Sequence, residues 1–420
     1  MIRRSTVISV IMIILLGWYW IQAIAGLAFS IELRSIFYLA FTFVLLFLLI
    51  TKKGIGVFFE KRMIPVLVVW LVYVSLFRFH ALQFPSVAKQ IGLPGIQNFI
   101  AQTIEYIALA IIIKKKIVDV DLLLYRLFVV MSCFSFAVLA TLILKFGPYF
   151  YLREAYMFGG GVSLITFSYN AVFCCILGFY LLIRKDLLCQ KYNCNLIKLL
   201  ISYSTIIVLL MGKRGAVLSL FVPILAYFFF RRLSVKKSLI YLCLIVMFYF
   251  FVVNNIDFLF DFLSVFSKRL AEETRLAYYM GDANGREFIW EVAIDQFNRN
   301  RLMGFFPRVI DTSKNLFFYG LHPHNYWLEA LMTMGLIGSV PFFGCLIYVL
   351  LFKFYRAVES NSAYCFWAML LVSEIIHGTF SSPLNDSIIW GAMFVLCCYS
   401  PQKTGSAFLQ NLKTYAGRQQ

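Results

Sequence analysis

Two of the chain's four histidines stand in one segment, Leu321-His322-Pro323-His324-Asn325-Tyr326-Trp327-Leu328-Glu329, where a long polar stretch gives way to an apolar run. A neutral imidazole titrates near working pH and can take a proton from an attacking hydroxyl, so His324 is a candidate general base. His322 points the same way only if the segment is extended, and Pro323 disfavours the helical conformation for the residue before it. The expected local structure is therefore an extended approach followed by a helix from about Tyr326. Glu329 then falls in the first turn, either as a carboxylate favoured by the helix dipole or as an orienter of His324. His-x-His without a third partner does not make a zinc site.

Two arginines supply the complementary chemistry. Asn284-Gly285-Arg286-Glu287 reads as a helix start with Asn284 as cap, which puts Arg286 in a first turn whose free N–H groups already favour an anion. A guanidinium there would match two phosphate oxygens at once. The plainer alternative is an arginine that satisfies a helix end or touches lipid headgroups. Arg214, in the tight connection Gly212-Lys213-Arg214-Gly215, is either a second anion ligand or a snorkelling side chain, and Lys213 is a weaker candidate for the same task. Glu374 and His377 share a helix face by their spacing of three, and Glu105 is a further carboxylate inside an apolar run. Each is a site candidate or an interhelical polar contact. Gly159-Gly160-Gly161 is a close-approach loop or a flexible turn.

The elements that must position these groups are membrane helices. The chain is 420 residues long, 62% hydrophobic and 14% charged, a balance outside that of soluble domains. Its formal charge of +18 falls in short clusters between apolar runs, the pattern of membrane loops rather than of a nucleic-acid surface. Scanning for runs of spanning length gives about twelve, near 7–26, 35–51, 63–78, 97–113, 124–145, 162–183, 196–212, 214–230, 238–255, 326–352, 363–380 and 384–400. The first run has no cleavage site behind it and reads as a retained helix. The expectation is an all-α polytopic membrane protein of about twelve transmembrane helices with one large periplasmic loop containing short helices. Helices 1–9 would occupy residues 1–255, the loop with its amphipathic helix 256–325, helices 10–12 residues 326–400, and a cytoplasmic tail 401–420.

Lys and Arg gather on every second connection, at Arg3-Arg4, Lys52-Lys53, Lys114-Lys115-Lys116, Arg184-Lys185, Arg231-Arg232 and Lys353. Both termini are thereby assigned to the cytoplasm, and Arg214, Arg286 and His324 to the opposite face. Within the loop, Ile289, Trp290, Ala293, Ile294 and Phe297 recur at helical spacing, so one face can lie on the bundle, and the helix should stop near Asn300. No CxxC pair suggests a metal, and the absence of cysteine between Asn254 and Trp327 leaves that loop without a disulfide.

Taken in order, Gly212-Lys213-Arg214-Gly215-Ala216, Gly285-Arg286 with Trp290, Gly304, His322-Pro323-His324-Asn325 with Leu328-Glu329, and Gly335-Leu336-Ile337-Gly338 resemble the O-antigen polymerase and ligase superfamily of bacterial envelope glycosyltransferases. The motifs cover roughly residues 200 to 345; the first six helices match in character only. The resemblance implies an undecaprenyl-diphosphate-linked oligosaccharide donor held by Arg214 and Arg286, and His324 assisting attack by an acceptor hydroxyl. His322, Asn325, Glu329 and Lys213 would support. It implies inversion at the anomeric carbon, no metal or other cofactor, an inner-membrane location and a periplasmic site. The acceptor would be a second lipid-linked glycan in a polymerase or lipid A-core in a ligase, and a chain-length regulator is a further possible partner. Lys213 stands where a small polar residue is commoner. The rival from another class is a transporter, whose paired halves and broken midplane helices are not apparent in the sequence.

Overall fold

Long uninterrupted apolar runs satisfy their own backbone only by coiling, and the computed structural model is built of helices; it describes residues 4–29, 35–53, 60–85, 96–152, 162–184, 193–211, 213–232, 256–266, 268, 271–272, 275, 286–306, 323–360, 362–380 and 388–399. The first half comprises α1 (Arg4–Leu16), α2 (Trp18–Phe29), α3 (Ser35–Lys53), α4 (Ile64–Gln83), α5 (Ile96–Lys115), α6 (Val120–Phe146) and α7 (Leu164–Ile183). There follow α8 (Cys194–Met211), α9 (Arg214–Arg232), α10 (Ile256–Phe266), α11 (Arg286–Arg299) and α12 (Tyr326–Val349). A π-turn, Leu350–Phe354, extends α12 into α13 (Tyr355–Glu359), and α14 (Ala363–Phe380) and α15 (Ile389–Cys398) are the last of the described helices.

Six of the described helices are long and apolar enough to cross a membrane, or seven if the bent pair α1 and α2 is one span. The expected first run is thus two segments inclined by 61° at Gly17. The runs near 35–51, 214–230 and 384–400 appear as shorter apolar helices. The last has only 10 residues, about 15 Å or half the hydrocarbon thickness. The run near 238–255 and the tail 401–420 lie outside the described residues.

The core is built on aromatic and small residues. Trp390 stacks on Tyr73 with centroids 5.8 Å apart and meets Phe342 at 5.2 Å, joining α15, α4 and α12. α9 packs on α14 and α7, α8 on α7, α12 on α4, and α11 on α12. Polar contacts at the helix ends fall into two groups. At one end of the bundle Lys145 reaches the Leu27 carbonyl, His80 meets the Met303 carbonyl and Trp327 donates to Thr379. At the other, Arg4 meets Thr51, Lys114 pairs with Glu60, Arg184 with Asp121, and Lys353 reaches the Tyr399 carbonyl. Each pairing joins ends that the alternation of basic clusters assigns to the same side.

α12 is broken at Gly335, whose φ of 53° and ψ of −160° belong to glycine. The break exposes backbone groups that a lipid environment cannot satisfy. Residues 301–305, following α11, supply the partners: Leu336 and Ile337 donate to the Arg301 and Leu302 carbonyls at 2.8 and 3.0 Å, and Phe305 donates to the Met332 carbonyl at 2.8 Å. A Cβ at Gly335 would run into the Leu302 carbonyl and the Gly304 nitrogen, and one at Gly304 (φ 78°) into Met332 and Thr333. The two glycines therefore let two backbones touch, which is the physical content of the Gly304 and Gly335-Leu336-Ile337-Gly338 positions.

Candidate functional site

Four helix ends meet around the last turn of α14. α9 begins at Arg214, with the Lys213 carbonyl accepting from Val217 N–H at 3.0 Å. A Cβ on Gly215 would collide with the Tyr169 hydroxyl and press on Phe380 Cβ. Glycine there lets the start of α9 nestle between α7 and the end of α14. Arg214 is half-buried, and among the described residues no carboxylate pairs with it.

Arg286 is the first residue of α11, and its Nη1 donates to the Phe380 carbonyl. Terminal carbonyls of a helix lack intrahelical partners, so Arg286 closes the end of α14. This is the helix-end role that the sequence left open beside phosphate binding, and a guanidinium has five N–H donors to divide between the two. Asn284, its expected cap, lies outside the described residues. The helix stops at Arg299, one residue before the expected Asn300. Ile289 and Ala293 pack on Met332 as their spacing predicts. Ile294, however, is 47% exposed and Gln296 is buried in its place, because the docked face is centred on positions 289, 293 and 296.

Trp290 Nε1 donates to the Pro323 carbonyl at 2.9 Å, tying α11 to the residue before His324. His324 is half-buried and has a φ of 53°, one of two non-glycine residues in the left-handed region among those described. That conformation turns the chain into α12. Asn325 follows as cap, its side-chain oxygen accepting from the Trp327 and Leu328 N–H groups at 3.0 and 3.2 Å. Asn325 is thus the cap of α12. Tyr326 lies with its ring against Gly378, and Trp327 Nε1 donates to Thr379 Oγ1 at 3.1 Å. The turn bearing His324 is held on one flank by α11 and on the other by α14. His322 lies outside the described residues.

Glu329 lies in the first turn of α12, as expected. It is fully buried and turned toward α4, where the Tyr73 hydroxyl approaches its Oε1 at 3.5 Å. Glu374 and His377, one turn inside the end of α14, do form the pair that their spacing predicts: His377 Nδ1 lies 3.4 Å from Glu374 Oε2. The imidazole also stacks on Tyr169, centroids 3.6 Å apart at 24°. Tyr169 is the same residue whose hydroxyl abuts Gly215.

The Arg214-Gly215 turn, Arg286 and the helix that follows His324 each lie against Gly378, Thr379 or Phe380. The N-termini of α9 and α11 both open here, each adding the positive end of a helix dipole to its arginine. An arginine at a helix N-terminus is suited to an anion such as a phosphate.

Residues 199–343 match the O-antigen ligase family model. The matched span begins inside α8, contains Arg214, Arg286 and His324, and ends inside α12. The resemblance to the O-antigen polymerase and ligase superfamily thus rests on the segment that carries the candidate site. No curated protein sequence matches the chain.

Two contributors escaped the sequence reading. Tyr169 sits in an apolar run with nothing to distinguish it from the chain's other tyrosines. His80 is buried, its Nε2 on the Met303 carbonyl at 3.0 Å and its Nδ1 on Gln83 at 3.3 Å, and so anchors the segment that fills the α12 break. Its signal was available: a histidine and a glutamine three apart at the end of the third run.

Proposed function

We propose that the chain is an O-antigen polymerase, or a polymerase of a similar surface polysaccharide, acting on an undecaprenyl-diphosphate-linked oligosaccharide at the periplasmic face of the inner membrane. The O-antigen ligase match supports a membrane glycosyltransferase-like activity of this superfamily with a lipid-linked glycan donor. The observation that supports a glycosyl-transfer site, in a polymerase or a ligase alike, is the approach of the Arg214 turn, Arg286 and the His324 turn to the last turn of α14. In this reading Arg214 and Arg286 hold the donor diphosphate, with Lys213 adding charge nearby. The bond between the anomeric carbon and the diphosphate oxygen breaks as the acceptor oxygen attacks from the opposite face. His324 takes the acceptor's proton, and the lipid diphosphate leaves as an anion. Neutralising that anion and aligning the acceptor are the main tasks left to the protein, which requires no carboxylate nucleophile. The about twelve spans and cytoplasmic termini expected from the sequence belong to the same proposal.

A ligase that transfers the glycan to lipid A-core is the second reading, favoured by the description of the matching family model. The lipopolysaccharide of a deletion strain separates the two. Loss of a polymerase leaves lipopolysaccharide with a single repeat, loss of a ligase leaves bare core, and an unaltered pattern would sink both.

A further inference from the structure

We propose that Glu374, His377 and Tyr169 form a sugar-hydroxyl subsite next to the diphosphate-binding arginines, with His377 Nε2 as the accepting atom. The inference rests on the glycosyl-transfer reading and adds to it a place for the glycan.

Three observations lead there. Glu374 Oε2 lies on Nδ1 of His377, and a carboxylate in this position selects the tautomer with the proton on Nδ1. Nε2 is then left with a lone pair. Among the described residues nothing engages that nitrogen, and the imidazole side chain remains 19% exposed while Glu374 is 8% exposed. The ring is also fixed in orientation, because it stacks on Tyr169 at 3.6 Å. A buried carboxylate, an oriented imidazole and a stacked phenol form a costly polar group inside an apolar bundle unless they serve packing or a ligand.

Position argues for the ligand. The Tyr169 hydroxyl abuts Gly215, beside Arg214, and Phe380, three residues beyond His377, accepts from Arg286. The subsite therefore lies about one helical turn from the Phe380 carbonyl that holds Arg286, and beside the turn that carries Arg214. A sugar attached to a diphosphate held by those arginines, or the sugar attacking it, has to lie within a few ångströms of that point. An acceptor nitrogen with no competing donor is suited to a pyranose hydroxyl. That hydroxyl comes either from the first sugar of the donor or from the acceptor sugar.

The test uses the full-length protein in detergent, with the lipid-diphosphate-linked repeat unit isolated from deletion-strain cells as donor, and the same glycan released by mild acid as acceptor. His377→Ala and Glu374→Gln should each raise KM for one of the two by on the order of tenfold while kcat changes little, as loss of one hydrogen bond to a neutral group implies. A rise confined to the acceptor places the acceptor sugar at His377, and a rise confined to the donor places the donor sugar there. His377→Gln keeps an accepting oxygen and should recover most of the loss. KM values for both substrates that match wild type, or a fall in kcat alone, would overturn the subsite. An inactive wild type that transfers no sugar would instead overturn the reading on which it rests. If the alanine variant unfolds, Glu374→Gln still decides the matter through the same KM comparison.

Discussion

At the scale of single residues the account turns on what a guanidinium does that an ammonium cannot. Arg286 closes α14 through one donor and, in the proposed reading, grips a diphosphate with others. Arg286→Lys keeps the charge and loses the fork, so turnover should drop by on the order of tenfold to a hundredfold with the protein still inserted. Near-wild-type rates in that variant would remove the clamp. Gly215→Ala should also be inactive or nearly so, because its methyl would displace the Tyr169 hydroxyl and push on Phe380, separating Arg214 from α14. Full activity there would show that the close approach of α9 is dispensable. Asn325→Ala removes the cap of α12 and should cost about 1 kcal/mol of stability, seen as a lower melting temperature in detergent. These residues differ in how legible they were. Arg214, Arg286 and His324 stood out because charge and imidazole are rare in an apolar chain. Asn325 was read as a supporter of chemistry, and the structure adds that it caps α12, a role that only its partners could reveal. Tyr169 gave no signal because its role comes from two neighbours brought by other helices.

At the scale of elements, the long apolar runs announced most of their helices, and the positions of α4, α7, α8, α11, α12 and α14 follow the spacing closely. What hydropathy could not show is where a run breaks. Gly17 splits the first run, and Gly335 interrupts α12, because breaks depend on which backbone partners other segments supply. The docking of residues 301–305 into the α12 break makes a sharp expectation. Gly335→Ala forces a side chain into glycine-only backbone space and against the Leu302 and Gly304 backbone, and should destabilise the fold by about 3 kcal/mol or more. Thermal unfolding in detergent checks it. A variant as stable as wild type would mean that the loop does not seal the break.

At the scale of the whole molecule, the contacts sort the helix ends into two groups, with the candidate site at one end and the Glu60–Lys114 pair at the other. Glu60 lies just before the α4 span, and the hydrogen bond from Lys114 holds its carboxyl below the usual carboxylate value. A depressed folded-state pKa contributes stability that is present above the unfolded value and lost as pH falls through the folded one. Melting temperature should therefore decline as pH drops through and below the ordinary carboxylate range, and Glu60→Gln should flatten part of that decline. An unchanged profile in Glu60→Gln would show that this pair adds nothing. The same sorting predicts the sidedness of the chain: a phosphatase reporter fused after Phe380 should be active outside, and one fused after Glu60 silent.

The central claim is that arginines and an imidazole from distant parts of the chain act on one lipid diphosphate at one end of the bundle. Transfer by the purified protein from a lipid-diphosphate-linked repeat unit, with chelator present, tests it most directly. The account expects glycan transfer by wild type that survives chelator and disappears in His324→Ala despite normal insertion. Failure of wild type to transfer, or full activity in His324→Ala, would contradict it.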